Sequence, residues 1–208
     1  MTAAKGNVME RLGIYGGTFS PPHLGHVHAA KVFLREMQLD KLLIIPTYIP
    51  PHKTRNEQTS VEDRLAMCKL AFSFSDKIEV SDMEIRRGGK SYTSDTLCAL
   101  KTDERSLFFL CGTDMFLTID AWHEPQTIFA HATIVCMQRE NDPLLSEKIR
   151  EKSEFYRRTF GADVYILHGE ALALSSSEVR ADITERGDFS EKLSPTVAEY
   201  IQKRGLYL

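Results

Sequence analysis

Six short apolar runs alternate along the chain with longer amphipathic ones, and this alternation limits the fold more than any other feature. The short runs are RLGIYG (11–16), KLLIIP (41–46), KIEVSDMEI (77–85), SLFFLCG (106–112), ATIVCMQ (132–138) and DVYILH (163–168), each read as a strand. Helical patterns fall at 24–37, 60–73, 93–103, 113–119, 144–159, 175–185 and 195–204. Strand–helix–strand repetition predicts an α/β fold with a parallel sheet, because parallel neighbours need a crossover long enough to return the chain. Within the first helical pattern Val27, Ala30, Leu34 and Met37 form one stripe toward the sheet, while Lys31 and Arg35 face solvent.

No repeat, low-complexity tract or Gly/Ser-rich linker interrupts the 208 residues, so 1–208 is read as a single domain whose part from about 170 is a helical subregion. A chain of this length buries about 70% of its unfolded surface and needs neither disulfides nor a structural metal. The balance of 26 basic against 29 acidic side chains, −3 in all, argues against nucleic acid or an anionic membrane as partner. Cys68, Cys98, Cys111 and Cys136 form no CxxC pair, and no apolar run reaches signal-peptide or membrane-span length. These features lead to the expectation of a reducing, cytoplasmic setting.

The chemistry concentrates in GIYGGTFSPPHLGHVHAA, residues 13–30, which runs from a strand through Gly16 and Gly17 into a helix near Leu24. Paired glycines let a ligand approach the backbone, and a helix N-terminus offers amide protons to an anion. His23 and His26, three residues apart across the helix start with Gly25 between them, can aim two imidazoles at one phosphate whose charge grows in a transition state. His28 lies outside that spacing and is read as structural.

Two other phosphate motifs fail. Gly89-Lys90-Ser91 ends like a P-loop, but the required first glycine would stand at Glu84, where a carboxylate would repel phosphate. Gly13, Gly16 and Gly17 do not have dinucleotide GxGxxG spacing. A second constellation lies at LALSSSEVRADI (172–183), where Ser175 and Glu178 have capping-box spacing. The first turn there offers the hydroxyls of Ser176 and Ser177 and the guanidinium of Arg180, so a triphosphate is the economical ligand for both helix starts. The longest irregular segment, TYIPPHKTRNEQT (47–59), follows the second strand, where ligands of open sheets bind.

With GGTFSPPHLGH, IPPHK (49–53), GGKSYTSDTL (88–97), GTDMFLTIDAWHE (112–124), SSSEVR (175–180) and LSPTVAEYIQKRGLY (193–207) in order, the sequence resembles the bacterial nicotinate mononucleotide adenylyltransferases of the HxGH nucleotidyltransferase superfamily. The resemblance implies a Rossmann-like open parallel sheet of nucleotidylyltransferase type, with helices on both faces. It implies AMP transfer from ATP to nicotinate mononucleotide by direct in-line attack, with Mg²⁺ carried by ATP rather than in a protein cage. Catalytic roles then fall to His23, His26 and Arg180. ATP would meet Gly16, Gly17, Thr18, Phe19, Gly25, Gly112, Asp114, Ser176 and Ser177, and the mononucleotide Lys53, Tyr92, Thr93, Trp122, His123 and Arg139.

Ser20 stands where that family commonly has aspartate, Ser177 where it has threonine and Val179 where it has isoleucine. Preference for the amide mononucleotide, and a nucleotide-binding regulator without turnover, are the competing readings. A homo-oligomer is compatible with the sequence, which does not specify one.

Overall fold

The computed structural model describes residues 9–51, 59–138, 142–169, 172–185 and 187–208. Its strands are β1 (Glu10–Gly17), β2 (Lys41–Pro46), β3 (Ile78–Val80), β4 (Arg105–Gly112), β5 (Ala132–Met137) and β6 (Val164–Ile166). They form one sheet in the order β3-β2-β1-β4-β5-β6 with every pair parallel. The helices are α1 (Leu24–Glu36), α2 (Val61–Ala71), α3 (Met83–Arg87), α4 (Thr93–Leu100), α5 (Thr113–Phe116), α6 (Pro125–His131), α7 (Pro143–Phe160), α8 (Ser176–Thr184) and α9 (Pro195–Arg204), with a 3₁₀ turn at Ile119–Ala121.

Side chains alternate across the sheet and feed two apolar layers. Leu42, Ile44, Phe108, Leu110 and Val135 face α1, α2, α8 and α9, where Val27, Phe33, Met67, Val179 and Val197 complete one core. Leu12, Ile14, Leu43, Phe109 and Ile134 face the other way, onto Leu97, Phe116, Ile128, Ile149 and Tyr156 of α4–α7. Helices cover both faces, as the resemblance implied, and the strands are apolar on both faces accordingly. Lys31 and Arg35 lie exposed as the α1 pattern required, with Val27, Ala30 and Met37 buried.

Two elements depart from the sequence reading. The third strand ends at Val80, because the chain turns at Ser81-Asp82 into α3, where Arg86 N–H bonds Asp82 O at 2.8 Å and the two side chains pair. Helix α6 was not anticipated; Pro125 starts it and only Ile128 and Phe129 anchor it, too few residues to register as periodic.

The strand order reverses direction at β1, and ligands of open sheets bind at such a point. There the pairing itself opens a crevice. β1 pairs with β4 only as far as Ile14 and Phe109, while β1 stays with β2 to Gly17 and Pro46, and β4 stays with β5 to Gly112 and Met137. The carboxyl ends of the two central strands therefore diverge.

Candidate active site

A cleft of about 390 Å³ fills this divergence. Its floor is Ile14–Gly17 of β1 and Phe109–Gly112 of β4, and the turn Thr18–Ser20 leads from it to the histidines. Phe19 adopts the left-handed conformation, φ 49°, a state that costs a non-glycine residue about 1 kcal/mol or more and persists only where packing fixes it. Its buried ring does so, packing edge-on against Tyr15, Phe72 and His26.

His23 is the N-cap of α1 and His26 its third residue. The backbone N–H of His23 donates to Nδ1 of His26 at 3.1 Å, and the two rings stack with centroids 3.7 Å apart. Since Nδ1 accepts, a neutral His26 carries its proton on Nε2. Both histidines line the cleft, and His23 is only 3% exposed. Three of the amides at the start of α1 are engaged within the protein. The His23 amide is taken by His26, Leu24 N–H by Lys192 O and His26 N–H by His23 O, so the imidazoles rather than these amides face the cleft.

Opposite them, α8 begins with the capping box read from the sequence: Ser175 Oγ accepts from Glu178 N–H, and Glu178 accepts from Ser175 N–H. These Ser175 donors hold the exposed Glu178 carboxyl below its ordinary range. Arg180 donates through Nη1 to Ser20 O at 2.7 Å and through Nη2 to Ser177 Oγ at 3.0 Å, and it reaches the cleft beside Ser176 and Ser177. Ser176 lines the cleft, but its hydroxyl proton goes to Pro21 O at 2.9 Å, so in this arrangement the hydroxyl is a tie to the turn and not a donor toward ligand.

The cleft is also lined by Ile45 of β2, by Thr47 and Pro50 after it, by Ser91, Thr93 and Thr96 around the start of α4, and by Trp122. Trp122 donates from Nε1 to Thr118 Oγ1 at 3.2 Å and meets Phe109 edge-on, which sets the indole plane. Tyr92, His123 and Asp114 do not line this cleft. Tyr92 and His123 stack on each other 4.1 Å apart, with His123 Nδ1 beside Ser94 Oγ, and Asp114 is exposed. Gly25 lines a smaller adjoining recess together with His23, His26 and Gly112. Lys53 and Arg139 lie outside the described residues.

Three residues that the sequence reading did not assign emerge here. Glu84, noticed only as a mismatch to a P-loop, is a cleft residue 5% exposed whose Oε1 accepts from Thr96 Oγ1 at 2.6 Å. Burial pushes its carboxyl above the ordinary value, partly offset by Thr96, Ser91 and Arg87. Arg64 is fully buried and donates to Thr18 O at 2.9 Å and toward Tyr48 O, joining the loops after β1 and β2. Tyr207 places its hydroxyl 3.1 Å from Ser20 Oγ. Among the described residues no three His, Cys, Asp or Glu side chains are grouped to hold a metal ion.

Comparison with known proteins agrees with this geometry. The cytidylyltransferase-like family model matches residues 14–182. A probable nicotinate-nucleotide adenylyltransferase of Desulfatibacillum aliphaticivorans is 35% identical, covering 95% of this chain and 100% of that one. The chain belongs to the nicotinate-nucleotide adenylyltransferase family. Another relative, from Desulfitobacterium hafniense strain Y51 and of the same description, is 38% identical over 95% of this chain and 96% of its own. The fold is that of a solved Plasmodium falciparum nicotinic acid mononucleotide adenylyltransferase complexed with NaAD, with TM-score 0.72, 21% identity and coverage of 95% of this chain and 97% of that one. As a member of the adenylyltransferase family the chain has the Rossmann-like sheet that the resemblance implied, and no helix among the described residues is long and apolar enough to cross a membrane.

Proposed function

We propose that this chain transfers AMP from ATP to nicotinate mononucleotide, yielding nicotinate adenine dinucleotide and pyrophosphate. The observation that carries this reading is one cleft lined both by His23, His26 and Arg180 and by Thr93 and Trp122, so that a polyphosphate and an aromatic acid can meet within it.

A mononucleotide phosphate oxygen attacks the α-phosphorus of ATP, and the bond from that phosphorus to the oxygen bridging the β-phosphate breaks in line. No enzyme-bound intermediate is required, so catalysis is positioning plus charge stabilisation. His26 donates from Nε2 and His23 lies against it; both neutralise charge growing on the phosphates. Arg180 commits one N–H each from Nη1 and Nη2 to Ser20 and Ser177, and its remaining donors take the departing pyrophosphate. Mg²⁺ enters as part of its ATP complex. Trp122 offers a face to the pyridine ring, and the hydroxyl of Thr93 supplies polarity for its carboxylate. Lys53 and Arg139 are assigned to mononucleotide phosphate contacts on the resemblance alone. Cys68, Cys111 and Cys136 are buried thiols, which suits a reducing cytoplasm.

Pyrophosphate release measured with ATP and each mononucleotide tests the proposal. The acid form should be preferred; a clear preference for the amide, or no release with either, overturns it.

A further inference from the structure

We infer that Tyr207 is a positioning residue for the phosphate end of the cleft, acting through Ser20 to fix the direction in which Arg180 presents its guanidinium. The inference rests on the adenylyl-transfer reading and deepens it.

Tyr207 lies more than 180 positions from the histidines in sequence, yet it is 4% exposed and its hydroxyl sits 3.1 Å from Ser20 Oγ in a buried contact. Its carbonyl accepts from Thr184 Oγ1 at 3.0 Å, and the same hydroxyl lies 3.0 Å from Arg180 O. Arg180 in turn donates to Ser20 O at 2.7 Å. These contacts close a ring: Ser20 carbonyl to the Arg180 side chain, Arg180 backbone to Thr184, Thr184 to the Tyr207 carbonyl, and the Tyr207 phenol back to the Ser20 side chain.

The ring encloses the part of the turn most in need of support. Phe19, just before Ser20, holds a positive φ of 49°, so the turn relaxes unless its neighbours pin it. Arg64 pins Thr18 O from one side, and Arg180 pins Ser20 O from the other. With the phenol hydroxyl gone, the ties of Ser20 among the described residues reduce to its carbonyl bond, and that bond is made by the very group that must be aimed at the triphosphate. A cleft arginine whose own anchor can shift loses direction before the fold loses stability.

The test is a double-mutant cycle of Tyr207→Phe and Ser20→Ala, read by kcat, by KM for each substrate and by calorimetric affinity for ATP. Each single variant should weaken kcat/KM for ATP, and ATP affinity, by about three- to tenfold, the range of one net hydrogen bond. KM for the mononucleotide should hold, and the double variant should be no worse than either single. Wild-type ATP parameters in Tyr207→Phe overturn the inference. So do losses that multiply in the double variant, or losses shared equally by both substrates as a general loosening would produce. If wild-type protein releases no pyrophosphate, the adenylyl-transfer reading fails by itself, and the calorimetric cycle still decides the ring.

Discussion

The N–H of His23 donates to Nδ1 of His26 at 3.1 Å while the two imidazoles stack 3.7 Å apart, so the pair proposed to hold phosphate also forms the cap of α1. The cap fixes the tautomer of His26 and leaves Nε2–H as its donor. His26→Ala should lower turnover by about 10²–10³, the usual loss for one preorganised donor. The lost cap is worth about 1 kcal/mol, so the melting temperature should fall by only about 2–4 °C in a chain of this size. Turnover within a few-fold of wild type would take His26 out of the mechanism.

Gly25 makes that stacking feasible. A Cβ there would lie 3.0 Å from Cε1 and Nδ1 of His23 and 3.2 Å from the carbonyl of Leu172, so it would be squeezed between the imidazole and backbone. In a helix, alanine is otherwise the better residue by about 1 kcal/mol. Gly25→Ala should therefore cut kcat by at least about tenfold while changing stability little, because the imidazole yields more readily than the backbone. An unchanged kcat would show that His23 can shift without consequence.

Much of this was legible in the chain because β1, β2, β4 and β5 are apolar on both faces and because the histidine, tryptophan and serine–arginine motifs lie in the segments that follow β1, β4 and β6. Glu84, Arg64 and Tyr207 were harder to read, since their burial depends on partners distant in sequence. Arg64 meets Thr18 across 46 positions and Tyr207 meets Ser20 across 187. One local signal existed for Arg64. It stands three, four and seven residues before Met67, Cys68 and Ala71, the buried stripe of α2, and an arginine in register with such a stripe must find acceptors inside. Tyr92 and His123 show the reverse: their motif is at the cleft edge, and the stacking of their two rings on each other is visible only in the fold.

Trp122 is the sole tryptophan, so its fluorescence reports one place only. Its indole is held by Thr118 and Phe109 along the cleft wall, where the proposed pyridine ring would stack. Adding nicotinate mononucleotide should quench or shift this emission with saturation near the kinetic KM. Trp122→Ala should raise KM for the mononucleotide by about tenfold, in line with about 0.5–1.5 kcal/mol for an aromatic contact, and leave KM for ATP nearly unchanged. Equal effects on both substrates would place the ring elsewhere in the reaction.

Glu84 gives the cleft a pH signature. Burial raises its carboxyl above the ordinary value of 4.5; hydrogen bonds from Thr96 and Ser91 and the charge of Arg87 pull it back, and Asp95 pushes it up. A raised value in the fold means that the protonated form is the favoured one. Its stabilising contribution is complete below 4.5 and is lost as pH rises through the higher folded-state value. At neutral pH the ionised carboxylate therefore costs stability. Glutamine keeps the Oε1 acceptor for the Thr96 hydroxyl, 2.6 Å away, without the charge. Glu84→Gln should thus be at least as resistant to urea as wild type at pH 7.5, and its advantage should shrink as pH falls toward 4.5. A difference that is flat across this range, or that grows on acidification, would mean the buried carboxylate is ionised at no cost, with Arg87 and the two hydroxyls offsetting its desolvation in full.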